Sequence, residues 1–261
     1  MKLGAMTRPA RTLDAEITWI GQNGFDFVDL RMEAPGAALE KINWRAVGQQ
    51  LRAAELGVVC QAAAYLPTDS PSPLVRQAAL DELRRSIDAA QLAGASLCIT
   101  HFHGWPAYLA DQEGYDYTKQ LYDVLLKHGA ERGVAVALEN SPRNLHQLKY
   151  FRQIFHRLPT LKLAYNIGHS NINTNATGQT REHLFAFAER LAHVRLSDND
   201  GGAAQYLPPG AASSGGIDLA HELRTLRSFQ YDGAITLQID GDRHWLLASA
   251  AWVRELWAQA V

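Results

Sequence analysis

The chain is predicted to fold as one α/β domain over residues 1–261, a closed (β/α)8 TIM barrel. Eight short runs of strand character alternate with segments of helical spacing from one end to the other, with no linker between them. A length of 261 residues, 47% of them hydrophobic, suits a single core of that architecture. The alternative with the same alternation is a doubly wound open sheet, which carries a Gly-rich dinucleotide loop after its first strand. Here the first strand, residues 2–6, runs into Thr7-Arg8-Pro9 instead.

Residues 13–23 have helical spacing and end at Gly24. The second strand, 25–32, reads Phe-Asp-Phe-Val-Asp-Leu-Arg-Met, and the period of two puts Asp29, Arg31 and Glu33 on one face. Three charges on one face of a barrel strand require mutual pairing, water or a ligand at the mouth. Residues 44–57 are expected to be helical with Gly57 as the cap. The third strand, 58–65, leads into a turn-rich loop at 66–73. A helix over 74–94 ends in Gly94. The fourth strand, 96–102, carries His101, and His103 shares its face for as long as the strand persists. Trp105 follows in the exit loop, as a stacking surface for a cyclic substrate or as a lid.

A helix over 117–132 precedes the stretch around which the chain is organised, Gly133-Val-Ala-Val-Ala-Leu-Glu139-Asn140-Ser-Pro142. Ala135, Ala137 and Glu139 fall on one face of this strand. Two small residues and then an acid suit a crowded barrel interior with a carboxylate at its mouth. A buried carboxylate needs a partner, and a Pro-containing loop at the strand's C-terminal end is where site residues concentrate. A helix over 145–155 and a strand over 161–167 follow, the strand ending in Tyr165-Asn166-Ile-Gly168-His169. After a helix at 181–191, residues 194–196 form the heart of the seventh strand. The loop 197–216 is rich in Gly, Ala, Ser and Pro, and its stretch 201–216 is expected to be mobile without ligand and to close over the mouth when it is occupied. A helix at 217–228, a strand at 234–239 and a helix at 245–257 complete the series.

The formal charge of −2 argues against a nucleic-acid groove. No run of about 18 apolar residues indicates a membrane span, and the start lacks a signal-peptide core. Cys60 and Cys98 lie in apolar runs and read as buried thiols. These features point to a cytoplasmic protein acting on a small molecule.

Taken in order, the fragments at the strand ends resemble the sugar-phosphate isomerase/epimerase-like family, the xylose-isomerase-like barrels that include the endonuclease IV type. The matching fragments are Gly24-Phe-Asp-Phe-Val-Asp-Leu, Ala64-Tyr-Leu-Pro67, Leu138-Glu139-Asn140, Asn166-Ile-Gly168-His169, Val194-Arg195-Leu196-Ser197-Asp198-Asn199, Gly216-Ile-Asp218 and Gly233-Ala-Ile-Thr-Leu-Gln238. The resemblance implies a divalent metal held by a Glu, an Asp, a His and a Glu at four strand ends. Carried over, Glu139 keeps the first position. Asn166, Arg195 and Gln238 stand at the other three. Ala62 stands where many members have a His, and the usual His-bearing loop after Asp198 reads Gly201-Gly-Ala-Ala-Gln205-Tyr206. His169 is retained.

Amides do not offset the charge of a hard cation as carboxylates do, and arginine has no lone pair to give. No metal and no other cofactor are therefore expected. The candidate catalytic residues are Glu139, Arg195, His101, His103 and His169. The candidate substrate-binding residues are Asp29, Arg31, Trp105, Asn140, Asn166, Asp198 and Gln238. The leading expectation is a metal-independent isomerase or epimerase that moves protons on a carbonyl, polyol or cyclic metabolite. A lyase, cyclase or dehydratase of the same barrel family and a non-catalytic ligand-binding barrel also fit these residues.

Overall fold

The computed structural model describes residues 1–140, 147–172 and 180–260. Eight parallel strands close into a barrel in sequence order. They are β1 (Lys2–Met6), β2 (Phe27–Arg31), β3 (Gly57–Gln61), β4 (Leu97–His101), β5 (Ala135–Glu139), β6 (Lys162–Asn166), β7 (Leu191–Leu196) and β8 (Ala234–Leu237). Among the described residues no helix is long and apolar enough to cross a membrane. The chain divides into two compact units, residues 7–162 and residues 1–6 with 163–261.

The first unit carries β2 to β5 with α1 (Leu13–Gln22), α2 (Trp44–Ala53), α3 (Pro73–Ala93), α4 (Asp111–Glu131) and α5 (Gln147–Arg157). Its sheet has a legible inside. The Thr100 hydroxyl meets the Tyr122 hydroxyl of α4 at 2.7 Å, so Thr100 faces the helices. Ile99 and His101 then face the opposite way. Register carries that face across the sheet: Ile99 pairs with Gln61 and Ala137, His101 with Glu139, and Arg31 with Gln61. The helix-side layer is apolar and fully buried, with Leu30, Cys60, Cys98, Val136 and Leu138. The two cysteines are free and buried, as their apolar runs imply.

Several boundaries differ from the sequence expectation. The helix expected over 44–57 stops at Ala53; the left-handed residue is Glu55, at φ 55°, and Gly57 opens β3. A Cβ at Gly57 would lie 3.1 Å from Phe27 Cβ, so this glycine serves a close strand approach rather than a cap. β3 ends at Gln61, short of Tyr65, because Ala64 N–H turns to bond Glu33 Oε1 at 3.0 Å. α3 ends at Gly94 in the left-handed conformation, φ 87°, as expected. α4 begins at Asp111, six residues before the position that periodicity gave. Gly114 hides this turn by reading as a breaker, yet it is where the helix accommodates Trp105. The helix expected over 145–155 is seen as α5 from Gln147, and its first two expected residues lie outside the described residues.

The second unit carries β1, β7, β8 and residues 163–166 of β6, with α6 (Ile167–Asn171), α7 (Thr180–Phe187), α8 (Leu219–Ser228) and α9 (Arg243–Gln259). α7 is shorter than the expected 181–191: a 3-10 turn follows it, and Leu191 already belongs to β7. β1 pairs with β8 and β7 with both β6 and β8. His193 Nε2 meets Thr236 Oγ1 at 2.8 Å inside this sheet. α6 was not anticipated. It leaves β6 without a loop because the Asn166 side chain caps it, accepting from His169 N–H at 3.0 Å.

Candidate active site

In the first unit the chemistry gathers where β4 and β5 end. His101 and Glu139 are the last residues of their strands and direct register partners. His101 Nδ1 lies 3.4 Å from Glu139 Oε2. Glu139 is 1% exposed and Asn140 after it equally buried. The expected acid at the strand end thus has a proton-carrying partner within reach. His103 lies beyond the strand, and its ring stacks on that of His101 at 6.2 Å between centroids.

Asp69, absent from the sequence-derived set, completes this cluster from the loop after β3. It is 7% exposed, and its Oδ2 accepts from His103 N–H at 3.3 Å and from the Thr68 hydroxyl at 3.2 Å. Burial pushes its carboxyl above the ordinary range, against a downward pull from His103 and hydrogen bonds from Thr68, His103 and Gly104. Only loop composition surrounded it in the sequence, so nothing marked it as buried.

Asp29 is fully buried, two residues below Arg31 on the same face of β2. Of the three charges expected on that face, Arg31 and Glu33 pair at 3.0 Å. Trp105 does not offer an open stacking face. Its indole lies over Gly114, where a Cβ would come within 2.0 Å of the ring, and meets Tyr115 and Tyr150 edge to face at 5.0 Å. Its Nε1 donates to Asp111 at 3.3 Å. The packing makes it a brace of the β4 exit loop.

In the second unit Asn166 ends β6 beside its register partner Arg195 on β7. Asn166 Nδ2 donates to Gln238 Oε1 at 2.8 Å. Arg195 is the largest fully buried side chain among the described residues. His169 is buried in α6, with its Nε2 3.4 Å from the Tyr206 hydroxyl. At the preceding Gly168 a Cβ would fall 2.5 Å from Ser197 Oγ and 3.1 Å from the Ser197 carbonyl oxygen, so a side chain there would displace Ser197. Tyr206, also missed from sequence, holds φ at 51°, a conformation uncommon for a bulky residue.

Asp198 is buried, with both carboxylate oxygens engaged by backbone amides. Its Oδ1 accepts from the N–H groups of Asn199 and Ile217, each at 2.9 Å. Its Oδ2 accepts from those of Gly210 at 2.8 Å and Ala212 at 3.4 Å. One buried carboxylate therefore anchors a segment whose composition suggested freedom.

The donor set does not fit a divalent cation. Asn166 Oδ1 is engaged by His169 N–H and Gln238 Oε1 by Asn166. Arg195 contributes a fixed positive charge and no lone pair. Among the described residues no group of three or more His, Cys, Asp or Glu is placed to hold a metal ion.

Residues 17–256 match the model of the xylose isomerase-like TIM barrel family. A crystal structure of a D-tagatose 3-epimerase-like protein superposes with a TM-score of 0.87 at 20% identity, over 100% of this chain and 98% of that one. The 3-keto-D-glucoside 4-epimerase of E. coli gives 0.80 at 17% identity, over 98% and 99% of the two chains. An L-ribulose 3-epimerase gives 0.79 at 15%, over 99% and 95%. A curated relative, the uncharacterized protein MJ1614 of Methanocaldococcus jannaschii, is 28% identical over 143 residues, 51% of this chain. The aligned part spans about half of that relative's length, 52%.

Proposed function

Because this chain belongs to the xylose isomerase-like TIM barrel family, we propose that it is a sugar epimerase or isomerase that works without a divalent metal. The observation that carries the reading is the Glu139–His101 pair, an acid and an imidazole 3.4 Å apart at adjacent strand ends. The C-terminal ends of barrel strands are where catalysis sits in this architecture. Family neighbours whose names include epimerase support the reaction class.

In the proposed reaction Glu139 removes the proton from the carbon next to the substrate carbonyl. The C–H electron pair becomes a C=C bond, and the carbonyl π pair moves onto oxygen. Arg195 is assigned the developing oxygen charge, which a planar guanidinium can hold in a bidentate fork. Returning a proton to the opposite face of the same carbon gives the epimer. Returning it to the former carbonyl carbon, with proton exchange between the two oxygens, gives the aldose–ketose isomer. His101 orients Glu139 and carries its proton when the carboxylate must be ionised again. His103 and His169 are assigned to proton supply around the sugar, and Asn140 to a polar contact with it. Asn166 and Gln238 replace charge by a neutral amide pair, which suits a neutral polyol.

The test is solvent exchange. D-fructose, D-tagatose and L-ribulose are incubated with the chelated protein in deuterated buffer and followed by NMR. Deuterium is expected on the carbon next to the carbonyl of one of the three sugars. Glu139→Gln should slow that exchange by about 10²–10⁴-fold, while its thermal melt stays near wild type. Exchange by the Glu139→Gln variant at the wild-type rate would remove Glu139 from the mechanism. Absence of exchange on every sugar until a metal is added would defeat the metal-free reading.

A further inference from the structure

Two buried polar atoms in the first unit lack a hydrogen-bond partner and stand side by side in the sheet. Gln61 is the last residue of β3 and is 2% exposed. Its Oε1 is buried and meets no donor among the described residues. Arg31 is the last residue of β2 and the register partner of Gln61. Its Nε is likewise buried and without an acceptor.

The rest of Arg31 is well held. Its NH2 pairs with Glu33 Oε2 at 3.0 Å, and its backbone N–H donates to the Thr7 hydroxyl at 3.0 Å. Glu33 is itself fixed by Ala64 N–H on its other oxygen. The guanidinium is thus clamped at one end, while the Nε–H meets no acceptor among the described residues.

Leaving such a group buried without a partner is costly in an ordinary core, and natural cores leave few. A donor and an acceptor left open on neighbouring strands, roughly 4.8 Å apart at the backbone, define what would satisfy them. A carboxylate or phosphate brings acceptors alone and would answer Arg31 Nε but not Gln61 Oε1. An ammonium brings donors alone and would confront the guanidinium. A hydroxyl accepts one hydrogen bond and donates another. His101 and Glu139 end the two following strands on the same face, so the pair belongs to the side of the sheet that carries the proposed chemistry.

We infer that Arg31 Nε and Gln61 Oε1 form a hydroxyl-reading subsite, in which one hydroxyl of a polyhydroxylated ligand accepts from the arginine and donates to the glutamine. This rests on the sugar reading above and adds to it the residue that selects among sugars. Arg31 figured in the sequence-derived set as a charge; its working atom here is Nε. Gln61 did not figure there at all. A site built around a ligand hydroxyl rejects the analogue lacking it far more strongly than an apolar pocket rejects a missing methylene, because the protein's own groups are stranded.

The test is calorimetric titration of D-fructose, D-tagatose and D-psicose, and of their single-deoxy analogues, into wild type, Gln61→Met and Arg31→Lys. Gln61→Met keeps the volume and removes the acceptor. For a sugar that binds, one deoxy analogue should bind wild type at least about tenfold more weakly than its parent. Gln61→Met should weaken the parent by a similar factor and the deoxy analogue no further, and Arg31→Lys should behave alike. The melting temperature of Gln61→Met should equal or exceed that of wild type, since no protein hydrogen bond to Oε1 is lost. Three results overturn the inference while sparing the sugar reading: Gln61→Met binding every sugar as wild type does, weakening all of them alike, or melting several degrees lower. Failure of all three parent sugars to bind wild type overturns both.

Discussion

Asp198→Asn tests whether one carboxylate holds the segment after β7. The side chain is 2% exposed and accepts four backbone N–H groups, two on each oxygen. Asparagine keeps one oxygen and turns an NH2 toward two of those donors. The milder orientation sacrifices the Oδ2 pair, one short bond from Gly210 at 2.8 Å and one long bond from Ala212 at 3.4 Å. A hydrogen bond to a charged acceptor contributes about 1.5–3 kcal/mol. Losing one in full, part of a second, and the charge on the remaining two comes to about 2–4 kcal/mol. For a chain of this size that is a fall in melting temperature of roughly 5–12 °C. Hydrogen exchange should show lost protection at the amides of Gly210 and Ala212 and retained protection at Ile217. A melt within about 2 °C of wild type, with exchange unchanged at all three amides, would refute the clamp.

Three other outcomes are expected. Elemental analysis should find far less than one divalent cation per chain, and chelation should leave the melting temperature unmoved; the variant Asn166→Asp, Arg195→His, Gln238→Glu, which restores the ligand types that the family resemblance implies, should acquire a metal-dependent melt. Gly114→Ala drives a methyl into the Trp105 indole and should cost about 1–3 kcal/mol with a shift in tryptophan emission, whereas an unchanged spectrum and melt would show that Trp105 is not braced there. Burial holds Asp69 above its ordinary value of 3.8, so the folded chain keeps a proton that the unfolded chain releases. This group's contribution to stability therefore falls as pH rises from about 4 through the folded pKa. Asp69→Asn should gain on wild type over that range in urea melts, and a constant difference would contradict the assignment.

The alternation of strands and helices was legible because each strand is short, apolar and bounded by turn residues, and the barrel followed from it. Glu139 was legible for a related reason: an acid after two alanines on one strand face has few bland explanations. Its partner His101 was named, but the pairing itself needed the register of β4 on β5, which no local pattern encodes. Asp69 and Tyr206 were not legible. Each lies in a loop of turn-forming residues, and burial there is decided by distant backbone rather than by periodicity. The protein contacts of Trp105 and Asp198 were not legible, for a shared reason. An aromatic ring and a carboxylate near a strand end have the chemistry of ligand contacts. Gly114 and four backbone amides had already claimed them, and neither fact lies within reach of a short sequence window. Gly57 misled because a glycine after a helical run has two uses, a cap or a close strand approach, and the sequence does not separate them.

Tyr206 has a mechanical consequence for its half of the molecule. Its hydroxyl reaches His169 after β6, its carbonyl accepts from Asp240 after β8 at 2.9 Å, and its neighbour Leu207 is bridged to Asp198 after β7. Three strand-end segments are thus geared to one residue whose backbone, at φ 51°, has little room to yield. A ligand that turns the His169 ring must move the tyrosine, and the displacement is passed to Asp240 and Gly241. The protein thereby carries its own gauge: occupancy near α6 should be readable as altered hydrogen exchange at the Asp240 amide, which bonds the Tyr206 carbonyl.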